Sequence, residues 1–285
     1  MGALLLAILC SSSIALLFKV SETRGLNRLA VTATNYATGV VVALALVLRD
    51  AMTRDGWPQA LPTVWALAIG AITGVFFVGG FLLYQEGVKR HGASLAGAFS
   101  KLGIIVAVAL SLAVWVGGSK IGEALAIVLG VAAVVVANWP RGREWKKALR
   151  LVLVALALVA GTAEYMHSVF ERQDVANHLP VFLLGAFATG LLVSVWLLRR
   201  SRKKTQARDI ALGIAVGLPN LGSSAFLVTA LTTLPAGVAY AGFGAGTVLV
   251  IAGAAWLLFN EKPDLAGRIA MGLTVAALVV MQLPF

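Results

Sequence analysis

Two apolar stretches of the sequence contain ionisable residues that are able to do chemistry inside a membrane. Lys101 lies in a run from Gly92 to Val116 that is rich in Ala, Val, Leu and Gly. Glu164 lies in a second apolar run, and His167 follows three residues later, so a helix places both on one face. A charge at the bilayer centre costs at least about 2.5 kcal/mol unless it is paired or faces water. A chain that keeps these groups is therefore predicted to use them.

The chemistry open to these groups is ion binding and proton exchange. The Lys101 ammonium can bind a substrate carboxylate or phosphate, or act as a gate; alternatively, its long stem lifts the amine to the membrane surface. Glu164 is a candidate for proton coupling, as in membrane proton relays, or for a fixed ion pair. His167 is its candidate partner, or a packed hydrogen-bonding residue. No second His or Cys supports a metal site.

The composition indicates an integral membrane protein. The chain has 285 residues, 60% of them hydrophobic, and its mean hydropathy is +0.92. The formal net charge of +11 is explained by basic residues in short loops between apolar spans, so no nucleic-acid partner is expected. The single cysteine, Cys10, excludes a disulfide framework. The expected partners are the lipid bilayer and a small-molecule substrate, with no cofactor, and the chain is expected to be a monomer or a homodimer.

Hydropathy predicts an all-α bundle of ten transmembrane helices. The apolar runs are far too long for the strands of a membrane barrel. No basic segment precedes Leu4–Leu9, so the first run is expected to be a retained helix and not a signal peptide. The predicted helices span residues 2–20, 29–48, 63–84, 93–116, 121–139, 149–171, 179–198, 210–232, 236–259 and 265–283.

The sequence contains an internal repeat. The segment Tyr36-Ala37-Thr38-Gly39 matches Phe187-Ala188-Thr189-Gly190 at an offset of 151 positions. Over the next two spans, a row of small residues recurs at a constant offset of 143 positions. Chance matches are common among 30 glycines, but a constant offset over two spans is not. The row is Gly70, Gly74, Gly79, Ala93, Ala96 and Gly103, with counterparts Gly213, Gly217, Gly222, Ala236, Ala239 and Gly246.

The repeat divides the chain into two units of five helices, residues 1–140 and 149–285, joined by a basic linker at 141–148. Because five is odd, the second unit must enter the membrane in the opposite sense, which is the inverted repeat of many secondary transporters. The repeat places Gly244 opposite Lys101 and Ser12 opposite Glu164. Each of these two charges is therefore expected in only one of the two units.

Polar residues in other spans are further candidates for substrate binding or gating. Tyr240 lies deep in the ninth span, and Asn220 follows a proline that interrupts the eighth. Proline frees a backbone carbonyl that a neighbour or a ligand can satisfy. Asn35 and Tyr84 are candidates of the same kind, although each is as well explained by hydrogen bonds between helices. Ser12 offers a hydroxyl at the repeat position of Glu164.

The distribution of basic residues predicts the orientation. Loops after odd-numbered helices, with the adjoining helix ends, hold 18 of the 23 Lys and Arg residues. Loops after even-numbered helices hold only Arg49, Arg54, Lys120 and Arg172. The positive-inside rule therefore places the odd-numbered loops in the cytoplasm and both termini outside.

The chain resembles the drug/metabolite transporter superfamily, specifically its ten-helix EamA-type permeases. The resemblance covers nearly the whole chain and rests on the repeat and on four motifs. It implies a cavity formed by helices 1, 3, 4, 6, 8 and 9, with helices 5 and 10 at the periphery. It also implies cytoplasmic termini, the reverse of the charge distribution. The motifs are Ser11-Ser12-Ser13 with Phe18-Lys19, Tyr84-Gln85-Glu86-Gly87, Ser100-Lys101-Leu102-Gly103 and Asn260-Glu261-Lys262.

The expected function is secondary active transport of a small polar or zwitterionic metabolite, such as an amino acid, by proton coupling or exchange. The expected location is a bacterial inner membrane. Export of amphipathic drugs and flipping of a lipid-linked substrate are the alternatives. The chain has no G-x-x-x-x-G-K-[ST] loop for ATP and no H-E-x-x-H motif, and its aspartates fall in loops or at helix ends. An intramembrane enzyme is therefore not expected.

Overall fold

The computed structural model describes residues 2–53, 60–114, 121–138, 151–171, 178–231 and 236–280, apart from some side chains within these ranges. The predicted linker at 141–148 lies outside the described residues, as do the side chains of His167 and Tyr240. The helices are α1 Gly2–Thr23, α2 Arg28–Thr53, α3 Ala60–His91, α4 Ala93–Val114, α5 Ile121–Asn138, α6 Leu151–Glu171, α7 Leu179–Ser201, α8 Ala207–Leu231, α9 Ala236–Phe259 and α10 Leu265–Val280.

The prediction of an all-helical chain with ten helices is confirmed over the described residues. Two helices extend beyond their apolar cores. α2 continues to Thr53, and α3 runs to His91 instead of ending near residue 84. The extension of α3 holds polar residues that form helices readily, so hydropathy falls while the helix continues. It ends at Gly92, whose φ of +87° suits glycine.

Length and composition make several of these helices candidate membrane spans. Within the described residues, five helices are long and apolar enough to cross a membrane: α1, α2, α3, α7 and the Gly242–Phe259 part of α9. Large apolar side chains face outward, with exposed fractions of 68% at Val41, 71% at Leu192 and 75% at Leu257. Water disfavours such a surface, whereas lipid covers it. The chain is an integral membrane protein.

Small residues bring α2 and α7 close together. The ring of Phe187 in α7 lies against Gly39, and the ring of Tyr36 in α2 lies against Gly190. The centroids of these two rings are 5.9 Å apart. A side chain at either glycine would collide with the opposing ring, so both positions require glycine.

Helix α7 also packs closely on α3. Gly70 and Gly74 of α3 lie against the backbone carbonyls of Phe182 and Ala186 in α7. Backbone cannot move aside as a flexible side chain can. These two glycines therefore set the distance between α3 and α7, as small residues do in other membrane helix pairs.

The same arrangement joins α8 to α2. Gly213 and Gly217 of α8 lie against the backbone carbonyls of Val31 and Asn35 in α2. Two further close contacts join α4 to α6 and α1 to α9. Gly103 of α4 meets Ala160 and Gly161 of α6, and Gly246 of α9 meets Ile8 of α1. Through these contacts, close packing at small residues connects α1 to α9, α4 to α6, and α2 to both α7 and α8, with α3 joined through α7.

Candidate functional site

Lys101 lies on α4, and its side chain points toward α9. Its ammonium nitrogen lies 4.0 Å from the ring centroid of Phe243, a geometry in which the π face attracts a cation. Phe243 is only 7% exposed and belongs to an apolar cluster from α1, α8 and α9. The lysine therefore extends into the bundle interior, although it retains partial exposure.

Glu164 lies on α6, the neighbour of α4. It follows Gly161 by three residues and Ala160 by four, so it shares the helix face that contacts α4 at Gly103. Its side chain is exposed, and its charge acts on the ammonium of Lys101. The two residues lie on adjacent helices as opposite charges that interact through space.

Asn35 and Asn220 form a polar contact between α2 and α8. The Nδ2 group of Asn220 donates a hydrogen bond of 3.3 Å to Oδ1 of Asn35, whose side chain is 0% exposed. The amide nitrogen of Asn35 has no hydrogen-bond partner among the described protein atoms. A buried unpaired donor costs about 1–3 kcal/mol. This group is available to a water molecule or a polar ligand.

Sequence reasoning missed two further polar residues beside this contact. Nε2 of Gln85 in α3 donates a 2.8 Å hydrogen bond to Oγ1 of Thr32 in α2, one turn before Asn35. The Thr32 hydroxyl in turn donates to the carbonyl of Arg28 at 2.9 Å. The side-chain oxygen of Gln85 is unpaired among the described atoms, as is the hydroxyl of Tyr36. The signal was the spacing of Thr32, Asn35 and Tyr36 on one helical face.

Ser12 and Tyr84 lie in separate contacts. The Ser12 hydroxyl donates to the carbonyl of Thr247 at 3.5 Å and so connects α1 to α9. Tyr84 is buried and packs edge to face on Phe18, with the ring centroids 5.7 Å apart. The contacts therefore place the candidates in groups: Lys101 at Phe243, Asn35 at Asn220, and Ser12 and Tyr84 along α1.

Charged residues join helix ends on the side of the odd-numbered loops. Glu261, between α9 and α10, forms a 2.6 Å ion pair with Lys19 and accepts a 2.9 Å hydrogen bond from the backbone nitrogen of Ala93. A carboxylate at the N-terminus of a helix is stabilised by the free N–H groups and the helix dipole. Glu86 of α3 pairs with both Arg28 and Arg90.

Asp209 forms a third contact on the same side. Its carboxylate accepts hydrogen bonds from the backbone nitrogens of Asn27 at 2.9 Å and Gln206 at 2.8 Å. The Asn27 side chain in turn accepts from the backbone nitrogens of Leu29 and Ala30 in the first turn of α2. Asp209 therefore fixes the start of α8 to the start of α2.

An apolar groove of about 400 Å³ lies between α4, α5 and α6. Its walls include Leu102 and Ile105 of α4, Val131 of α5 and Leu158 of α6. Val131 and Leu158 are largely exposed, so the groove opens on the lipid-facing surface. Its volume falls within the range of small-molecule sites, and its lining suits hydrocarbon.

Comparison with known proteins relates the chain to drug-resistance proteins. Residues 178–274 match the family model described as Small Multidrug Resistance protein. The quaternary ammonium compound-resistance protein QacE of Escherichia coli is 43% identical over 58 residues, 20% of this chain and 53% of that protein. A putative ethidium bromide resistance protein of Salmonella typhimurium is 41% identical over 59 residues, 21% of this chain and 51% of that protein. The chain spans about half the length of these relatives.

The fold as a whole has a counterpart among solved structures. A crystal structure described only as that of a protein covers 98% of this chain and 94% of its own, with a TM-score of 0.57 and 19% sequence identity. This likeness concerns the fold alone. The family match includes Asn220 and Phe243 but begins after Lys101 and Glu164.

The relatives named above are described as resistance proteins, which is consistent with the expectation that this chain is not an enzyme. The assignment to the drug/metabolite transporter superfamily and its EamA-type permeases stays a prediction.

Proposed function

We propose that the chain is a secondary transporter of small molecules that works by alternating access between two inverted five-helix units. One observation carries this proposal: the offset of the sequence repeat relates each glycine contact between α2 and α7 to the other. Phe187 lies on Gly39 while Tyr36 lies on Gly190, and an offset of 151 relates Tyr36 to Phe187 and Gly39 to Gly190. Such reciprocal pairs are what a twofold axis between α2 and α7 produces.

The flanking contacts follow the same rule. Gly70 meets the carbonyl of Phe182, and Gly213 meets the carbonyl of Val31. Gly213 lies 143 positions after Gly70, and Phe182 lies 151 positions after Val31. Repeats related by an axis in the membrane plane place a transport site between them, near the midplane. The close glycine contacts are surfaces on which the units can rock.

The substrates we propose are amphipathic compounds, cations foremost, moved outward. Three observations support this class. The relatives are named for resistance to quaternary ammonium compounds and ethidium bromide. The lipid-facing groove is apolar, and Glu164 provides an exposed carboxylate in a membrane helix. In this role Glu164, with His167, exchanges a proton for the cation, because one carboxylate can hold either.

A small zwitterion such as an amino acid is the second candidate, favoured by the opposite charges of Lys101 and Glu164 on adjacent helices α4 and α6. In this reading Lys101 binds the carboxylate or closes the cytoplasmic side. A lipid-linked substrate would instead use the groove between α4, α5 and α6.

Transport by the purified chain in proteoliposomes tests the proposal. The panel contains ethidium, a quaternary ammonium compound, amino acids, nucleobases and sugars, each with and without an imposed pH gradient. Movement of ethidium driven by the gradient, and lost in Glu164→Gln, is the expected result. Glu22→Gln at the end of α1 is the matched control. Absence of transport for every compound would contradict the function, and pH-gradient-driven transport by Glu164→Gln would contradict the coupling role.

The orientation is tested separately. We propose that the termini lie outside, as the basic residues indicate. A fluorescent reporter fused to the C-terminus, of a type that folds only in the cytoplasm, is expected to stay dark. Fluorescence would reverse the orientation and favour the cytoplasmic termini that the family resemblance implies.

A further inference from the structure

The segment between α7 and α8 holds the densest group of basic residues in the chain. Of the 23 Lys and Arg residues, six fall within ten positions. The side chains of all six are exposed. This group is called the basic cluster, and its members are Arg199, Arg200, Arg202, Lys203, Lys204 and Arg208.

No carboxylate pairs with the basic cluster in the part of the chain that the structure describes. The salt bridges found there join other residues. Asp209, the acid next to the cluster in sequence, is only 2% exposed. Its carboxylate oxygens already accept hydrogen bonds from the backbone nitrogens of Asn27 and Gln206. The cluster therefore presents its positive charge to the surroundings of the protein.

The backbone that carries the cluster is fixed to the rest of the fold. α7 ends in a left-handed residue, Arg202, whose N–H donates to the carbonyl of Arg199. Two residues later, the carbonyl of Lys204 accepts a hydrogen bond of 3.5 Å from the side-chain amide of Asn27. Asp209 fixes the next turn. The segment is thus held through its backbone and through neutral or acidic groups, so its basic side chains are not needed for that purpose.

The outer face of α7 shows at which level of the membrane the cluster lies. Leu192, Trp196 and Arg200 follow one another at a spacing of four residues, so they share one helix face. Leu192 is largely exposed, and Trp196 is 51% exposed. Exposed tryptophans of membrane helices mark the boundary between hydrocarbon and headgroups. The Arg200 guanidinium lies 4.2 Å from the centroid of this ring, so Arg200 and the residues after it lie at the level of the headgroups.

We infer that the basic cluster is a binding surface for the headgroups of anionic phospholipids in the adjacent leaflet. A phosphate diester accepts charge-assisted hydrogen bonds from Arg and Lys side chains. Basic segments directly outside a membrane helix are attracted to lipids of net negative charge. The acyl chains of the same lipids would cover Leu192 and Trp196. This inference concerns a lipid partner and does not rest on the proposed transport function.

The repeat indicates that the fold itself does not require the cluster. The first unit forms the equivalent end of α2 with a single basic residue, Arg49, which is the counterpart of Arg200 at the offset of 151. The other positions are apolar or uncharged there. The counterparts of Arg199, Arg202, Lys203 and Lys204 are Leu48, Ala51, Met52 and Thr53.

Binding of phosphatidylglycerol to the purified full chain in mixed micelles tests the inference, with phosphatidylcholine as the zwitterionic reference. A lipid titration followed by native mass spectrometry gives the affinity for each lipid. Wild type is expected to bind phosphatidylglycerol more tightly than phosphatidylcholine. The triple variant Arg202→Gln, Lys203→Gln and Lys204→Gln removes half of the charges and should bind phosphatidylglycerol about tenfold more weakly.

A matched control removes the same kinds of charge elsewhere on the same side. Lys89→Gln, Lys262→Gln and Arg268→Gln together also change two lysines and one arginine, all of them exposed, and should change the affinity by less than about twofold, because separated charges are screened.

A second control keeps the charge of the cluster. Arg202→Lys combined with Lys203→Arg and Lys204→Arg should bind like wild type. Inorganic phosphate, which has no acyl chain, should not displace the bound lipid. Each variant is first checked for a monodisperse, folded state. If the triple glutamine variant fails, Lys203→Gln with Lys204→Gln takes its place.

Several results would overturn the inference. An equal loss of affinity in both triple glutamine variants would show that net charge alone explains binding. Equal affinity of wild type for the two lipids, or an unchanged affinity in the cluster variant, would also contradict it. Displacement of the lipid by inorganic phosphate would indicate a site for free anions instead of a membrane contact. The titration needs neither a substrate nor a pH gradient, so its result is independent of the proteoliposome panel.

Discussion

The joint between α2 and α8 and the joint between α3 and α7 share a backbone geometry but differ in their side chains. In both, two glycines one turn apart lie against two carbonyls of the neighbouring helix. The first joint contains the hydrogen bond between Asn220 and Asn35. At the repeat positions of these two residues the second joint has Phe77 and Ala186, and Phe77 packs on Phe187 with the ring centroids 6.5 Å apart.

This difference shows that the glycine contacts hold the helices together, whereas the polar side chains serve the candidate site. The glycine spacing alone sets the distance between the helix backbones, because this spacing is the same whether the neighbouring side chains are polar or apolar. The amide pair adds little to stability, because hydrogen bonds between membrane helices average about 0.6 kcal/mol. Its unpaired Nδ2 group carries a cost of about 1–3 kcal/mol. We therefore expect the α2–α8 joint to open more readily than the α3–α7 joint.

The largest effect is expected when a glycine at either joint is replaced by a large residue. Gly74→Leu and Gly217→Leu each drive a side chain into a neighbouring backbone carbonyl. Overpacking costs about 1–3 kcal/mol and more where backbone must shift, so both variants should lose folded protein at expression and show a large drop in melting temperature. Gly253→Leu, where an added Cβ meets nothing within 4 Å, is the control. A wild-type melting temperature for Gly74→Leu would show that this glycine does not set the distance between α3 and α7.

The next-largest effect is expected at the α2–α8 joint, where a single substitution and a double substitution should differ. Asn220→Leu takes away the donor to Oδ1 of the buried Asn35, whose Nδ2 group is already unpaired, and should lower the free energy of unfolding by about 1–3 kcal/mol. Asn35→Leu combined with Asn220→Leu should restore most of this loss, because no polar group is left unsatisfied. Reversible unfolding in mixed micelles measures both. Equal losses in the two variants would show that packing, and not hydrogen bonding, sets the stability of this joint.

A smaller effect is expected at the apolar joint. Phe77→Leu removes the edge contact with Phe187 and should cost about 0.5–1.5 kcal/mol. Transport should fall little, since this joint is expected to move least. Its measurement pairs the same unfolding assay with ethidium transport. A loss of transport without a loss of stability would place the moving contact at α3–α7 instead.

The smallest effect is expected at Gln85. Gln85→Met removes the hydrogen bond to Thr32 but also the unpaired Oε1 atom. These two changes oppose each other, so the free energy of unfolding should shift by about 0.5 kcal/mol or less. A transport defect in this stable variant would indicate that Gln85 takes part in transport.

Much of the fold could be predicted from the sequence, because hydropathy and helix length are local properties. Ten helices followed from the length of the apolar runs. In the sequence, the glycines at the joints were visible only as a row of small residues that recurs at a constant offset. The polar extension of α3 through Glu86 was missed, because a membrane helix can continue into water without a change in local propensity.

The site was harder to predict than the fold. Helices such as α3 and α9 are apolar on all sides, so their sequence carries no period that tells which face meets which neighbour. Lys101 could be identified by its charge, whereas its partner Phe243 is one of 12 phenylalanines and stands out only once the helices are packed. Thr32 and Gln85 were missed for the same reason.

The contact of Glu261 with the start of α4 has a consequence for any attempt to divide the chain. The carboxylate that completes the first turn of α4 comes from a residue 168 positions later. A chain divided at the predicted linker would therefore give a first fragment in which α4 lacks this carboxylate, and the second fragment would supply it. The two halves resemble each other in sequence, yet a carboxylate from the second caps a helix of the first.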